Sequence, residues 1–419
     1  MRTLFLFHAL LIALVPLLSH APSRASSYGL ATYYNDFDTW VQYVHDTCHP
    51  EQVEQEDDDE DSGDHLPARS DKYKDEVFSK WVKTCKKGKC YKNKDYPKKV
   101  KGYGAISKKF LPGRHLIVEE EEDAPKDGSG DFATVQAAID SVPTDNTKRA
   151  IIYVKKGIYR EKVLIPSSKP FITLKGENAA LTYIQWGDIA STIGKNGKPL
   201  STYGSASVAV EADDFIALDI SFKNTAPAPE SGAVGKQGVA LRIQGDRAAF
   251  YRCSFYGAQD TLYDREGRHY YYKCYIEGSI DFIFGNARSL FVKCHIHSIA
   301  TPWGSITAQK QMEPKENTGY SFAYCMVTGT GTIYLGRSWG PFSRVVYSFT
   351  YFDDIIRPEG WNDWNVPSNQ KKVFYGEYRC YGPGANSSGR VKWSRQLTPQ
   401  QAKPFLSTAF IDGKEWLTK

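Results

Sequence analysis

The chain has 419 residues, enough for one large core or for two domains. Its 27 tyrosines outnumber 21 phenylalanines and 9 tryptophans, glycine is frequent at 34, and methionine is scarce at 3. That mix suits a turn-rich β architecture and argues against a helical bundle. The formal charge of +5 allows an acidic partner and gives no ground for nucleic-acid binding.

Arg2 followed by the apolar run Leu4 to Leu18, with small-residue sites at Ser19-His20-Ala21 and Ser23-Arg24-Ala25, reads as a secretory signal over residues 1–25. The run is short for a membrane span, although an uncleaved anchor is the alternative. No other stretch is long and apolar enough to cross a bilayer, so a soluble protein outside the cytoplasm is expected, where cysteines can pair. Residues 26–113 carry an acidic run, Glu54 to Asp61, then a lysine-rich stretch, Lys83 to Lys109. Separated charge blocks with few aliphatics predict a weakly ordered leader; a binding or autoinhibitory arm is the functional alternative. Cys85 and Cys90 lie in this segment without the further Cys or His pair of a zinc site, which favours a local disulfide.

The main domain is read from residue 114 to 419. Phe132, Val135, Ile139 and Val142 fall at helical spacing and predict a short amphipathic helix over Ala133–Val142. Short strands bounded by turn residues follow at Ile151–Val154, Val163–Ile165, Phe171–Leu174, Val208–Val210, Ile216–Phe222 and Val239–Ile243. No long helices alternate with them, which argues against a doubly wound α/β fold. Four segments then repeat an aromatic lead, a cysteine and an apolar residue two positions later, around Cys253, Cys274, Cys294 and Cys325. The first three cysteines are about twenty residues apart, a period that signals stacked coils. With little helix inside the period, the fold expected is an all-β parallel β-helix with the cysteines in a ladder. Cys253 with Cys274, and Cys294 with Cys325, are candidate disulfides, with buried thiols as the alternative. His295 and His297 beside Cys294 lack further ligands and read as one face of a strand, not as a metal pair. Asn386-Ser387-Ser388 is a glycosylation acceptor. Thr398-Pro399-Gln400-Gln401 combines an N-cap, a proline at the first helical position and a capping-box glutamine, predicting a short terminal helix over the solenoid's open side.

The repeat leads to chemistry. Asp260 follows Cys253 by seven residues, and Asp281 follows Cys274 by seven. If the cysteines stack, so do the aspartates, on coils ~4.8 Å apart. Two carboxylates so close cannot both ionise easily, which supplies one nucleophile and one acid. The alternative is that both are ordinary turn residues.

The segments Tyr256-Gly-Ala-Gln259-Asp260-Thr261-Leu262-Tyr263, Gly278-Ser-Ile-Asp281-Phe-Ile-Phe284-Gly285-Asn286-Ala287 and Leu335-Gly336-Arg337-Ser338-Trp339 closely resemble three signatures of the plant pectin methylesterase family. Further matches are Gly130 to Gln136, Gly157-Ile158-Tyr159, Gln237 to Arg242 and Tyr375-Gly376-Glu377-Tyr378. Together they run in family order over nearly the whole chain after the leader. The resemblance implies a right-handed, single-stranded parallel β-helix of the pectin-lyase-like kind with short capping helices. It also implies hydrolysis of methyl-esterified homogalacturonan in the plant cell wall, without metal or cofactor. Asp281 then looks like the nucleophile, and Asp260 like the acid that protonates methanol and later the base that activates water. Gln259 and Gln237 look like donors to the oxyanion, and Arg337 like the group that holds Asp281 ionised. Phe284, Trp339, Trp361 and Tyr203 look like aromatic walls for sugar rings, and Thr202 like a polar substrate contact. Proteinaceous inhibitors are further expected partners of a monomer, with neither nucleic acid nor membrane. Activity is expected to fall in acid as Asp281 takes up a proton.

Other readings of these residues stay open: Gln237 and Gln259 as strand residues, Arg337 as a surface ion-pair group, Phe284 and Trp361 as core. A catalytically silent pectin-binding protein and a backbone-cleaving β-helix enzyme are the competing functions. Two departures from the family pattern matter. Ser338 stands where Pro or Ala is common, creating Gly336-Arg-Ser338-Trp-Gly340, which matches a serine-hydrolase elbow. That elbow needs a helix after the serine, whereas Pro341 and a strand-like Arg344-Val-Val-Tyr347 follow. The leader is also too short and too charged to be the helical inhibitor-like pro-region that many plant members carry.

Overall fold

The computed structural model describes residues 114–119, 130–230 and 232–417. The expected signal segment, the charged leader and the Cys85–Cys90 pair lie outside the described residues. Within them, strands from Arg114–Val118 to Arg395–Gln396 line up in chain order, each parallel to the next, as an 11-stranded sheet. A 14-stranded sheet wraps the other faces, bending through the long strand His295–Gln309, against which Met326–Arg337 also pairs. The chain visits the first sheet and then the second once per coil, which makes a parallel β-helix, as the repeat predicts, and right-handed, as the resemblance implies.

One corner recurs in coil after coil. Asp219, Arg252, Lys273, Lys293, Tyr324, Phe349 and Arg379 each follow a strand of the first sheet with φ between +48° and +57°. A left-handed residue other than glycine costs about 1–2 kcal/mol, so the stacked coils must hold each one in place. This corner divides the predicted strand Ile216–Phe222 into Ile216–Leu218 and Ser221–Asn224, with Asp219 at the bend. The Asp219 carboxylate in turn accepts from Arg252 of the next coil, at 2.6 and 2.8 Å. The remaining predicted strands lie within a few residues of their expected bounds, as Ala150–Val154, Val163–Ile165, Ile172–Gly176, Val208–Val210 and Leu241–Ile243.

Immediately after the corner come Cys253, Cys274, Cys294 and Cys325, and the register Ser254–Tyr275–His295–Met326 confirms their stacking. They are free thiols, so the candidate disulfides Cys253–Cys274 and Cys294–Cys325 are not formed. Cys274, Cys294 and Cys325 instead donate to the carbonyls of Phe250, Tyr271 and Phe291 one coil back, at 3.5 Å. Burial pushes the Cys253, Cys274 and Cys294 thiols well above their ordinary pKa, leaving little thiolate to start exchange. His295 and His297 point to one face and share the Thr328 hydroxyl, at 2.7 and 2.9 Å.

Aromatic rings fill the interior in a continuous column. Phe250, Tyr271, Phe291, Phe322 and Tyr347 stack with centroid separations of 4.8, 4.4, 4.5 and 4.5 Å. The period-two alternation of each strand sends one residue into this column and its neighbour outward. At the N-terminal end the helix is Val135–Asp140, shorter than predicted; Thr134 caps it, and Val135, Ala138 and Ile139 face the core. At the C-terminus the Thr398–Gln401 capping box forms as expected. The turns after it lay Phe405, Phe410, Ile411 and Trp416 over Ala249, Tyr270, Leu290 and Val346, the outer face of the first sheet. Among the described residues, no helix is long and apolar enough to cross a membrane.

Phe291 has a stacked ring on either side and is fully buried. Phe291→Ala is predicted to lower unfolding free energy by about 3–5 kcal/mol in urea titrations, while Lys293→Ala in the neighbouring corner changes it by less than about 1 kcal/mol.

Candidate active site

Backbone pairing places the two aspartates. Ser254 pairs with Tyr275 and Leu262 with Ile283, so the intervening Asp260 and Asp281 occupy equivalent positions on neighbouring coils, as their spacing predicts. Both have positive φ, +65° and +49°. At Asp281 the ladder is irregular: Ile280 faces Ser305 but Ile283 faces Thr307, so the first strand carries an extra residue there.

Arg337 reaches Asp281 from the end of the strand Met326–Arg337. Its Nε donates to Asp281 Oδ1 at 2.9 Å and its Nη2 donates to Oδ2, a bidentate fork. The guanidinium also lies 4.1 Å from the Trp364 ring centroid. Burial works against the Arg337 charge, but the hydrogen bonds and charge of Asp281 outweigh it and hold the group more firmly protonated. Asp281 is 5% exposed. Asp260 is partly buried and makes no side-chain hydrogen bond among the described residues. Burial, and secondly the Asp281 charge, push its carboxyl well above the usual range, with Arg337 pulling the other way. A carboxylate anchored by Arg337 thus stands beside a carboxyl that holds its proton more tightly than usual, and the unequal surroundings of the pair have a physical cause.

Gln237 and Gln259 lie on adjoining coils, with Gly238 N–H donating to Gln259 O at 3.2 Å. Gln237 Nε2 donates to Thr202 Oγ1 at 3.0 Å, bringing together two residues distant in sequence. Tyr203 is 41% exposed; its ring lies 3.6 Å from the Arg242 guanidinium and 5.4 Å from that of Arg265. Arg242, Tyr263, Phe284, Ala308 and Arg337 form one outward row in register across five coils. In that row Tyr263 stacks on Phe284 at 4.3 Å, and Trp339 sits 6.1 Å from Phe284 with Lys310 over its ring at 4.3 Å. Phe284 is covered to 4% exposure, so Tyr263 and Trp339 present the open aromatic surface above it.

Trp361 does not line this surface. It is 1% exposed, stacks on Tyr375 at 4.4 Å and donates to Glu377 Oε1 at 3.4 Å. Its register partner is Gly336, the residue before Arg337, and alternation turns that position inward. Trp364, three residues on, is the tryptophan beside Arg337. Ser338 is fully buried against Asn369 Nδ2 at 3.1 Å and no helix follows it, so the elbow pattern is accidental. Sequence reading also missed Tyr263 and Ser305. Alternation from Leu262 would have exposed Tyr263, whereas Ser305 and Trp364 carry no signal ahead of the coil register.

The aromatic outer face of a parallel β-helix thus carries an arginine-held carboxylate beside a second carboxyl whose pKa is raised. The pectinesterase family profile matches residues 123–414. "Pectinesterase QRT1" of Arabidopsis thaliana is 52% identical over 294 residues, covering 70% of this chain and 77% of that protein. Among solved structures, "Pectin methylesterase from Carrot" matches with a TM-score of 0.65 and 35% identity, over 74% of this chain and 96% of its own. A pectin methylesterase in complex with a hexasaccharide matches with a TM-score of 0.62 and 27% identity, over 72% and 98%. The chain belongs to the pectinesterase family and is a pectin methylesterase.

A raised folded-state pKa means that the folded protein binds the Asp260 proton more tightly than the unfolded chain does. Stability therefore falls as pH climbs from the ordinary aspartate value of about 3.9 toward the raised one. Asp260→Asn carries no such titration. It is predicted to melt about 2–4 °C above wild type at pH 8, and the advantage is predicted to vanish near pH 3 in thermal scans across pH.

Proposed function

We propose that the Asp260–Asp281 pair hydrolyses the methyl esters of homogalacturonan in two steps. The observation that carries this reading is the fork from Arg337 to Asp281 next to the Asp260 carboxyl of the preceding coil, whose pKa burial and the Asp281 charge raise. An Asp281 oxygen attacks the ester carbonyl carbon, and the amides of Gln237 and Gln259 donate to the oxyanion. The tetrahedral intermediate collapses with cleavage of the carbon–methoxyl bond, and Asp260 delivers its proton to the departing methanol. An anhydride joins sugar and enzyme. Asp260, now ionised, takes a proton from water; the hydroxide attacks the sugar carbonyl, Asp281 leaves as carboxylate, and Asp260 is again an acid. Arg337 aims the Asp281 carboxylate at the ester before attack and receives it again when the anhydride is hydrolysed. Tyr263 and Trp339, with Phe284 beneath them, give sugar rings an apolar surface, and Thr202 and Tyr203 supply polar contacts at its edge.

The setting follows from the same reading. Residues 1–25 direct secretion to the plant cell wall, residues 26–113 are a charged leader, and residues 114–419 form the catalytic domain, acting as a monomer that proteinaceous inhibitors can engage. Asn386 suits glycosylation: it is exposed in a turn where its Oδ1 accepts from Ser388 N–H at 3.0 Å.

Purified protein is predicted to release methanol from highly methylated pectin without shortening the polymer. Asp281→Asn lowers that release by about 10⁴-fold or more, and Asp260→Asn by about 10²–10⁴-fold. The wild-type kcat/KM falls on an alkaline limb as Asp260 loses its proton. Full activity in Asp281→Asn, or shortened chains, contradicts the reading.

A further inference from the structure

The irregular pairing at Asp281 sets its backbone against one side chain. With two residues of the strand Ile280–Gly285 facing one on the strand His295–Gln309, the Asp281 N–H lies opposite Ser305. It donates to Ser305 Oγ at 3.1 Å. Ser305 is fully buried, and its hydroxyl donates to Asp281 Oδ1. The two bonds define each other: the lone pair that takes the Asp281 N–H turns the single hydroxyl proton toward the carboxylate. Oδ1 thus receives two donors, Ser305 Oγ and Arg337 Nε, while Oδ2 receives only Arg337 Nη2.

We propose that Ser305 is a positioning residue for the reaction, tying Oδ1 of Asp281 in place so that the less encumbered Oδ2 faces the ester. This rests on the two-aspartate reading. Arg337 alone fixes the carboxylate plane, but the guanidinium stands on a long side chain, with tryptophan ring centroids at 4.1 and 6.0 Å from it. Ser305 is short, sits on a central strand and holds the backbone and the carboxylate of the same residue. It therefore removes the rotation about χ1 that the left-handed backbone of Asp281 would otherwise leave open. The other charged or titratable groups around Asp281 are Arg337 on the strand Met326–Arg337, Asp260 on the preceding coil and Tyr375 on the strand Phe374–Tyr378, with Tyr334 reaching it through Arg337. None of them bonds its backbone.

The test compares Ser305→Ala, Ser305→Cys and Ser305→Thr with wild type and Asp281→Asn in steady-state kinetics on methylated pectin. Cys keeps the volume with a poor donor and carries the test if the Ala variant does not fold. Ala and Cys are expected to lose about 10–100-fold in kcat with KM within about twofold. Thr, which keeps the hydroxyl, is expected to restore kcat. An unchanged kcat in Ala and Cys, a loss confined to KM or melting temperature, or a Thr variant as slow as Ala overturns the role of Ser305. If Asp281→Asn itself stays active, the two-aspartate reading fails and takes this role with it; an inactive Asp281→Asn beside an unaffected Ser305→Cys removes Ser305 alone.

Discussion

Coil-on-coil register governs this molecule, because every feature of the site is assembled by residues that meet only when coils stack without slippage. A slip of one residue would turn each inward side chain outward. The column of stacked rings from Phe250 to Tyr347 and the thiols beside it resist that slip, since each ring must meet its counterpart above and below. The left-handed corners add a fixed length of chain between sheets, so the register of the first sheet is passed to the second. Asp260 and Asp281 inherit their proximity from that constraint and make no direct bond to each other.

Proximity is then converted into different chemistry by unequal surroundings. Asp281 has the guanidinium fork, the Ser305 hydroxyl and a buried position, whereas the Asp260 carboxyl has burial and a neighbouring negative charge, with no side-chain hydrogen bond among the described residues. Two groups of one residue type are thus placed in unlike surroundings, as the proposed division into nucleophile and acid requires. Arg337 joins this arrangement to the groove: it pairs with Asp281 on one side and stacks against Trp364 on the other, in the outward row that also carries Tyr263 and Phe284. Substrate surface and reactive carboxylate are thus set by one register.

Much of this was legible in the sequence for a definite reason. The cysteine period counts residues per coil, and equal offsets from it brought Asp260 and Asp281 together before any coordinates. The helix cap at Thr398 and the strand positions follow local chemistry and were read closely. What depends on long-range packing was not. The family resemblance made Trp361 an aromatic wall, but pairing with Gly336 turns it into the core, as the alternative reading had it, and Trp364 takes the place beside Arg337. Ser305 became visible only through the bulge opposite it, because an extra residue in one strand leaves no mark in the other. The ladder cysteines could be placed but not paired from spacing, since a thiol with a carbonyl one coil back has no need of a disulfide.

The most direct measurement is a carbon-13 NMR titration of the Asp260 carboxyl in wild-type protein and in Asp281→Asn. The expected result is a proton kept well above the ordinary aspartate value of about 3.9 in wild type, and released at lower pH once the Asp281 charge is gone and Arg337 acts unopposed. Titration in the ordinary range, or a value unmoved by Asp281→Asn, would contradict the coupling of the two carboxylates.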